Sequence, residues 1–170
     1  MHTAAMDWVF QTFNEWREQG KKYDVLEIGS LNINGTPRTI IEPYSNTYYG
    51  IDIQGGPGVD EVADASEWIK PYSFDVVVCC EVFEHTPHWK KIIQNAMGSL
   101  RDGGIFIATM AGETRAPHSG VHGNYPYEWE HYDNIGEWDL AQTLKGFFKE
   151  SKTSYINPMV HADLRCWAIK

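Results

Sequence analysis

Apolar residues recur along the chain at two spacings, and the spacing changes where glycine and proline occur. Between Met6 and Gln19, the residues Met6, Val9, Phe10, Phe13 and Trp16 lie three or four apart. They line one face of a helix that Gly20 ends. Tyr23–Ile28 reads as a short strand running into Gly29, and Tyr48–Ile53 as a second, stopped by Gly55-Gly56-Pro57-Gly58. Val59–Ala63 is a weaker third, followed by a short helical stretch over Ser66–Ile69. Phe74–Cys80 is almost continuously apolar, the pattern of a central strand covered on both faces. Trp89, Ile92, Ile93, Ala96, Met97 and Leu100 return to helical spacing. Arg101-Asp102-Gly103-Gly104 stops that helix and feeds a strand over Ile105–Met110. After a long irregular stretch, Glu137–Phe148 reads as a helix, and Thr153–Ile156 and Leu164–Ile169 as strands.

Strands alternating with helices predict an α/β fold with a doubly wound, mostly parallel sheet of seven strands. No helix fits between the last two strands, so they are expected to form an antiparallel C-terminal hairpin. A chain of 170 residues without internal repeats is expected to be one domain spanning 1–170. Its net charge of −9 disfavours bulk affinity for nucleic acid or anionic lipid. No apolar run reaches the roughly 18 residues of a membrane helix, so no membrane partner is expected. The first residues place no basic region ahead of an apolar stretch, so no secretory leader is expected either. Cys79, Cys80 and Cys166 form no CxxC spacing and read as buried thiols of a reducing, cytoplasmic compartment.

In such sheets a ligand sits beyond the carboxyl ends of the strands, at the switch point. Candidate chemistry is therefore sought just after each strand. After the first strand comes Glu27-Ile28-Gly29-Ser30-Leu31, in which Gly29 alone matches a G-x-G-x-x-G pyrophosphate cradle; Leu31 and Asn34 stand at the later glycine positions. After the second comes Asp52, 23 residues beyond Gly29, an acid placed to accept both hydroxyls of a ribose. Ala63-Asp64-Ala65 follows the third, where Asp64 suits either an adenine amine or the N-cap of the next short helix. After the fourth comes Glu81-Val82-Phe83-Glu84-His85-Thr86-Pro87.

With these residues in this order, the chain from about Tyr23 to Met110 resembles the class I S-adenosylmethionine-dependent methyltransferases, of the small single-domain type. The resemblance rests on Glu27-Ile28-Gly29, Asp52, Asp64-Ala65, the Phe74–Val77 strand with Glu81 to His85, and Arg101–Gly104. It implies a Rossmann-like methyltransferase fold and S-adenosylmethionine as cofactor. Gly29 would admit the methionine part, Glu27 would lie beneath it, Asp52 would take the ribose and Asp64 the adenine. Glu81 would line the methyl side, and Ser30, Ile53 and Ala65 would complete the pocket. The family usually carries G-x-G where this chain has Gly29-Ser30-Leu31. A pocket lined by carboxylates suits a sulfonium cation and suits a pyrophosphate badly. The alternatives are an NAD-type oxidoreductase domain, opposed by Leu31, Asn34 and the closing hairpin, and a catalytically silent subunit that keeps the fold.

Between Ala111 and Ile135 the chain reads AGETRAPHSGVHGNYPYEWEHYDNI, too long for an ordinary connection and too aromatic for disorder. It is expected to cover the site as a substrate lid. His118, His131 and His85 are the candidate catalytic bases, and Arg115 and Tyr132 the candidate contacts to the acceptor. His85 also reads as a helix-entry residue before Thr86-Pro87. His118 and His122 with Glu113, Glu128, Glu130, His131 and Asp133 offer metal-type ligands. Pro117, Gly120, Gly123 and Pro126 break any helix that would align them, so no metal is expected. His2, His88 and His161 read as ordinary surface or core histidines. The N-terminal apolar stripe reads first as core packing, and second as a cover for the cofactor mouth. The expected activity is methyl transfer to oxygen or nitrogen of a small molecule or a side chain.

Overall fold

Seven strands form one sheet in the order β3-β2-β1-β4-β5-β7-β6 in this computed structural model, which describes residues 3–122, 124–157, 159–160 and 162–170. The strands are β1 (Tyr23–Ile28), β2 (Ser45–Asp52), β3 (Glu61–Val62), β4 (Phe74–Cys80), β5 (Leu100–Ala111), β6 (Glu150–Tyr155) and β7 (Asp163–Ile169). Pairing is parallel from β3 through β5, then antiparallel where β7 lies between β5 and β6. The expected hairpin is therefore β6-β7, and its second strand, not its first, joins the main sheet. His161 and His2 lie outside the described residues.

The helices are α1 (Thr3–Trp16), α2 (Arg38–Ile41), α3 (Trp89–Ser99) and α4 (Glu137–Phe147). They cover the sheet from both sides because β1, β4 and β5 are apolar on both faces. Val25, Val76, Val78, Ile105 and Ile107 pack with Val9 and Phe13 of α1 and Ile41 of α2. The alternate residues Leu26, Val77, Cys79, Phe106 and Ala108 pack with Ile92, Ile93 and Ala96 of α3 and Leu140 and Leu144 of α4. Cys79 and Cys80 thus serve opposite cores as buried free thiols, and Cys166 joins Cys79's side. The apolar stripe of the first helix is core packing: Val9 and Phe13 are fully buried.

Three local expectations need correction. Ser66–Ile69 is not helical; residues 65–67 form a turn in which the Asp64 carboxylate accepts the Ser66 amide at 2.8 Å. The Asp64 carbonyl also accepts the amides of Glu67 and Trp68 at 3.0 and 2.9 Å, so a single turn forms, and Pro71 stops any extension. Arg101–Gly104 does not sit outside the sheet as a stop but belongs to β5, bent at Gly103, whose φ is +78°. Arg101 bridges Asp24 of β1 and Asp75 of β4 at 2.8 and 3.0 Å, tying the sheet at the end opposite to the strands' carboxyl termini. Finally, α2 and the 3-10 turn Glu42–Tyr44 occupy a stretch where no element is expected.

Candidate functional site

The sheet order reverses between β1 and β4: β1 continues outward to β2, while the chain returns to add β4 on its other side. The carboxyl ends of these two strands open the crevice where ligands bind in such sheets. Gly29 lies there with φ +76°, a conformation that L side chains avoid. A Cβ on Gly29 would stand 2.2 Å from Cγ2 of Val82, in the turn after β4, so the two loops touch across the crevice.

Glu27, two residues earlier, is buried at 2% exposure. Its carboxylate accepts the hydroxyls of Thr36, at 2.8 Å, and of Tyr48, at 2.8 Å. Burial raises its pKa to about 7, against the opposing pull of those two hydrogen bonds. Arg38 stacks on the Tyr48 ring 4.6 Å from its centroid and pairs with Asp60. This network ties the loop after β1 to β2. Sequence spacing flagged Glu27 but neither hydroxyl, because their meeting is set by loop closure.

Ser30 is buried at 1% exposure, and its Oγ has no partner among the described residues. Asp52, half-buried at the end of β2, accepts the amides of Leu31 at 3.1 Å and Gln54 at 2.9 Å. It therefore holds both edges of the crevice mouth and retains unused lone pairs. The neighbouring Ile53 is 69% exposed, an apolar side chain left uncovered beside a carboxylate. Asp64 is exposed and Ala65 buried. Two surface concavities lie away from this crevice, one along Trp8, Glu15, Arg165 and Trp167, the other along Ile69, Gln94 and Met97.

Glu81 takes φ +56°, an uncommon conformation for a non-glycine residue, and so turns the chain sharply after β4. Its amide donates to the Thr109 carbonyl at 2.8 Å and its carboxylate accepts the Thr109 hydroxyl at 2.9 Å. The 3-10 turn Phe83–His85 follows. Glu84 is fully buried; Oε1 accepts the Ala111 amide at 3.1 Å, and Oε2 has no partner among the described residues. Burial, then the charge of Glu81, pushes its pKa up to about 8.

Residues 113–134 fold back onto this turn. The Asp133 amide donates to the Glu84 carbonyl, and Asn134 donates to the carbonyls of Glu113 and Arg115. The rings of His85, His118 and Tyr132 meet mutually edge to face, with centroids 5.1 to 5.6 Å apart. Nε2 of His118 lies 3.8 Å from Oε1 of Glu84. Burial and the neighbouring His118 lower the pKa of His85 to about 4, so its imidazole is neutral at pH 7 and a weak base. Arg115 pairs with Asp163 at the start of β7. His131 is exposed, and His122 packs on Tyr127 instead, with ring centroids 4.9 Å apart.

A family model described as a methyltransferase domain matches residues 56–106. No curated protein matches the chain by sequence. The fold superposes on the 1,6-didemethyltoxoflavin-N1-methyltransferase of Burkholderia thailandensis, solved with 1,6-didemethyltoxoflavin and S-adenosylhomocysteine. The TM-score is 0.70 at 16% identity, over 98% of this chain and 78% of that one. It also superposes on the phosphoethanolamine N-methyltransferase 2 of Haemonchus contortus, in complex with S-adenosyl-L-methionine, with TM-score 0.68 at 14% identity over 98% of this chain and 56% of that one. An S-adenosylmethionine-dependent methyltransferase of Mesorhizobium loti gives TM-score 0.63 at 12% identity over 97% and 98% of the two chains.

Residues 56–106 thus match a methyltransferase domain, and the fold is that of the S-adenosylmethionine-dependent methyltransferases on which the chain superposes. The structure brings Glu27, Gly29, Ser30, Asp52 and Glu81 to the carboxyl ends of β1, β2 and β4, with Ile53 at the rim. Asp64 and Ala65 follow β3 at the edge of the same side. His85, His118 and Tyr132 form one cluster, while His131 and Arg115 stand outside those ring contacts. Sequence reasoning missed Glu84 as a site residue. Its acidic side chain in a stretch leading from an apolar strand was the available signal, but only the folded loop reveals His118 beside it. Among the described residues, no helix is long and apolar enough to cross a membrane.

Proposed function

We propose that the chain is a class I S-adenosylmethionine-dependent methyltransferase that acts on an oxygen or nitrogen of a small acceptor, held between the β1/β4 crevice and the lid 111–135. The observation that carries this reading is the crevice at the switch point. Gly29, at positive φ, lies beside the buried Ser30 Oγ, which has no partner among the described residues, and Asp52 stands at the mouth.

These residues fit S-adenosylmethionine. An orphaned buried hydroxyl asks for a ligand partner, the carboxylates suit a cation, and the exposed Ile53 offers an apolar cover for an adenine ring. Asp52 would take the ribose hydroxyls, Asp64 and Ala65 the adenine edge, and Gly29 and Ser30 the methionine part. Glu27 acts beneath them by fixing the loop through Thr36 and Tyr48. The bound cofactor supplies an electrophilic methyl group on a sulfonium sulfur. The chain's own task is then to align the acceptor lone pair with that methyl, since in-line geometry supplies much of the rate.

A hydroxyl or ammonium acceptor must also lose a proton, and His118 is the group placed to receive it. Its Nδ1 contacts the Ala116 carbonyl at 3.3 Å, and a carbonyl only accepts, so Nδ1 carries the hydrogen and Nε2 the lone pair. His85, with its depressed basicity, positions His118 by ring contact; His131 is exposed. Tyr132, within the cluster, and Arg115, outside its ring contacts, are the acceptor contacts. Calorimetric titration with S-adenosylhomocysteine tests the cofactor half of this reading. A screen of hydroxyl and amine acceptors with wild type and His118→Ala tests the rest, and a variant that retains full turnover on the accepted substrate overturns the base assignment.

A further inference from the structure

We propose that Glu84, His85 and His118 form a binding site for one first-row divalent transition metal ion of the zinc class, between the turn after β4 and the lid. Each residue presents one donor atom, and the three donors lie within 4.8 Å of one another. On a single zinc ion, with bonds of about 2.0–2.2 Å, donors stand about 3.3 Å apart, so modest side-chain rotations close the set. Two imidazoles and one carboxylate form a recognised donor set for zinc that leaves a fourth position open.

Four observations support a ligand here. Oε2 of Glu84 is fully buried and unpartnered among the described residues, a costly state for a polar atom that a bound cation would relieve. The Ala116 carbonyl holds His118 in the tautomer whose Nε2 lone pair is available, and that nitrogen already lies 3.8 Å from Oε1 of Glu84. The remaining Glu84 oxygen is oriented by the Ala111 amide, the kind of outer hydrogen bond that holds ligating carboxylates. Gly120 packs against the His85 ring, where an added Cβ would stand 3.1 Å from Cγ, so the lid backbone fixes the second imidazole.

The site differs from the ligand set that sequence alone offers. His122 and His131 are excluded by their positions, and the carboxylate comes from the turn after β4, 34 residues before His118. The metal would orient an acceptor oxygen at the open position and lower its pKa, taking over from His118 as the means of ionising it. That last step rests on the methyltransferase reading; the metal site itself does not.

The test uses the full chain, stripped of metal, titrated with Zn²⁺ by calorimetry, with Co²⁺ absorption in the visible as a second readout. The expected result is one ion per chain, with affinity lowered at least tenfold in His118→Ala and Glu84→Gln and unchanged in His122→Ala. Because Glu84 is buried and its variant can fail to fold, the partly exposed His118→Ala carries the decision. Absence of saturable uptake by the wild type overturns the proposal, as does uptake that His118→Ala leaves within twofold. S-adenosylhomocysteine is titrated into the same metal-free preparation. Its binding without metal uptake removes the metal site alone, and metal uptake without it removes the cofactor reading alone.

Discussion

Replacing Glu27 by glutamine keeps the size of the side chain and removes its charge, at a position where the fold disfavours that charge. Burial raises the pKa from the ordinary 4.5 to about 7, although Tyr48 and Thr36 both donate to the carboxylate. The difference of about 2.5 units corresponds to about 3 kcal/mol at 1.36 kcal/mol per unit. Between pH 4.5 and 7 the folded protein keeps a proton that the unfolded chain releases, so stability falls as pH rises through this window. Below 4.5 both states are protonated and the cost is absent; above 7 both are ionised and the cost is complete. Urea unfolding followed by tryptophan fluorescence, at half-unit steps from pH 4.5 to 8.5, measures this directly. The difference in unfolding free energy, Glu27→Gln minus wild type, should increase by about 3 kcal/mol across the window and level off above pH 7. Differences that run parallel across the whole range would refute the account of Glu27 as a carboxyl kept neutral by burial.

Other substitutions probe the crevice and its support. Gly29→Ala should lower stability by about 2 kcal/mol or more, because of its positive φ and the Val82 methyl in its path. Adding Val82→Ala should restore only the steric part, and full recovery in urea midpoints would contradict the backbone argument. Phe106→Ala should cost about 3–5 kcal/mol, since Phe106 is fully buried and stacks on Phe83, which leads the turn bearing Glu84 and His85. A loss below 1 kcal/mol in calorimetric melting would show that this layer does not support the turn. In metal-free protein, turnover of an identified acceptor should fall at least tenfold in His118→Ala, while His131→Ala changes it less than threefold. The reverse order would move the base to His131.

The strands were readable where burial on both faces leaves little choice. Tyr23–Ile28 and Phe74–Cys80 have the bounds expected from their apolar runs, because β1 and β4 lie at the centre of the sheet. Reading failed where a single turn or a side-chain bridge sets the local structure. Asp64 closes a turn where periodicity suggested a helix, and Arg101 serves a cross-sheet ion bridge within what looked like a helix stop. The candidate site was readable as separate residues after each strand, as the topology requires. Its second half was not, since the approach of His118 to Glu84 depends on how residues 113–134 pack on the turn after β4. The hydroxyls that secure Glu27 follow the same rule: Thr36 and Tyr48 carry no local signal of a shared partner.

In the proposed function, the crevice at the carboxyl ends of β1 and β4 binds S-adenosylmethionine, with Asp52 of β2 at its mouth taking the ribose. Calorimetric titration of the protein with S-adenosylhomocysteine, with NAD as control and repeated on Asp52→Ala, tests it most directly. The account predicts one S-adenosylhomocysteine per chain, no NAD binding, and at least a tenfold loss of affinity in the variant. Binding of NAD in its place, or a folded wild type that binds neither ligand, would contradict it.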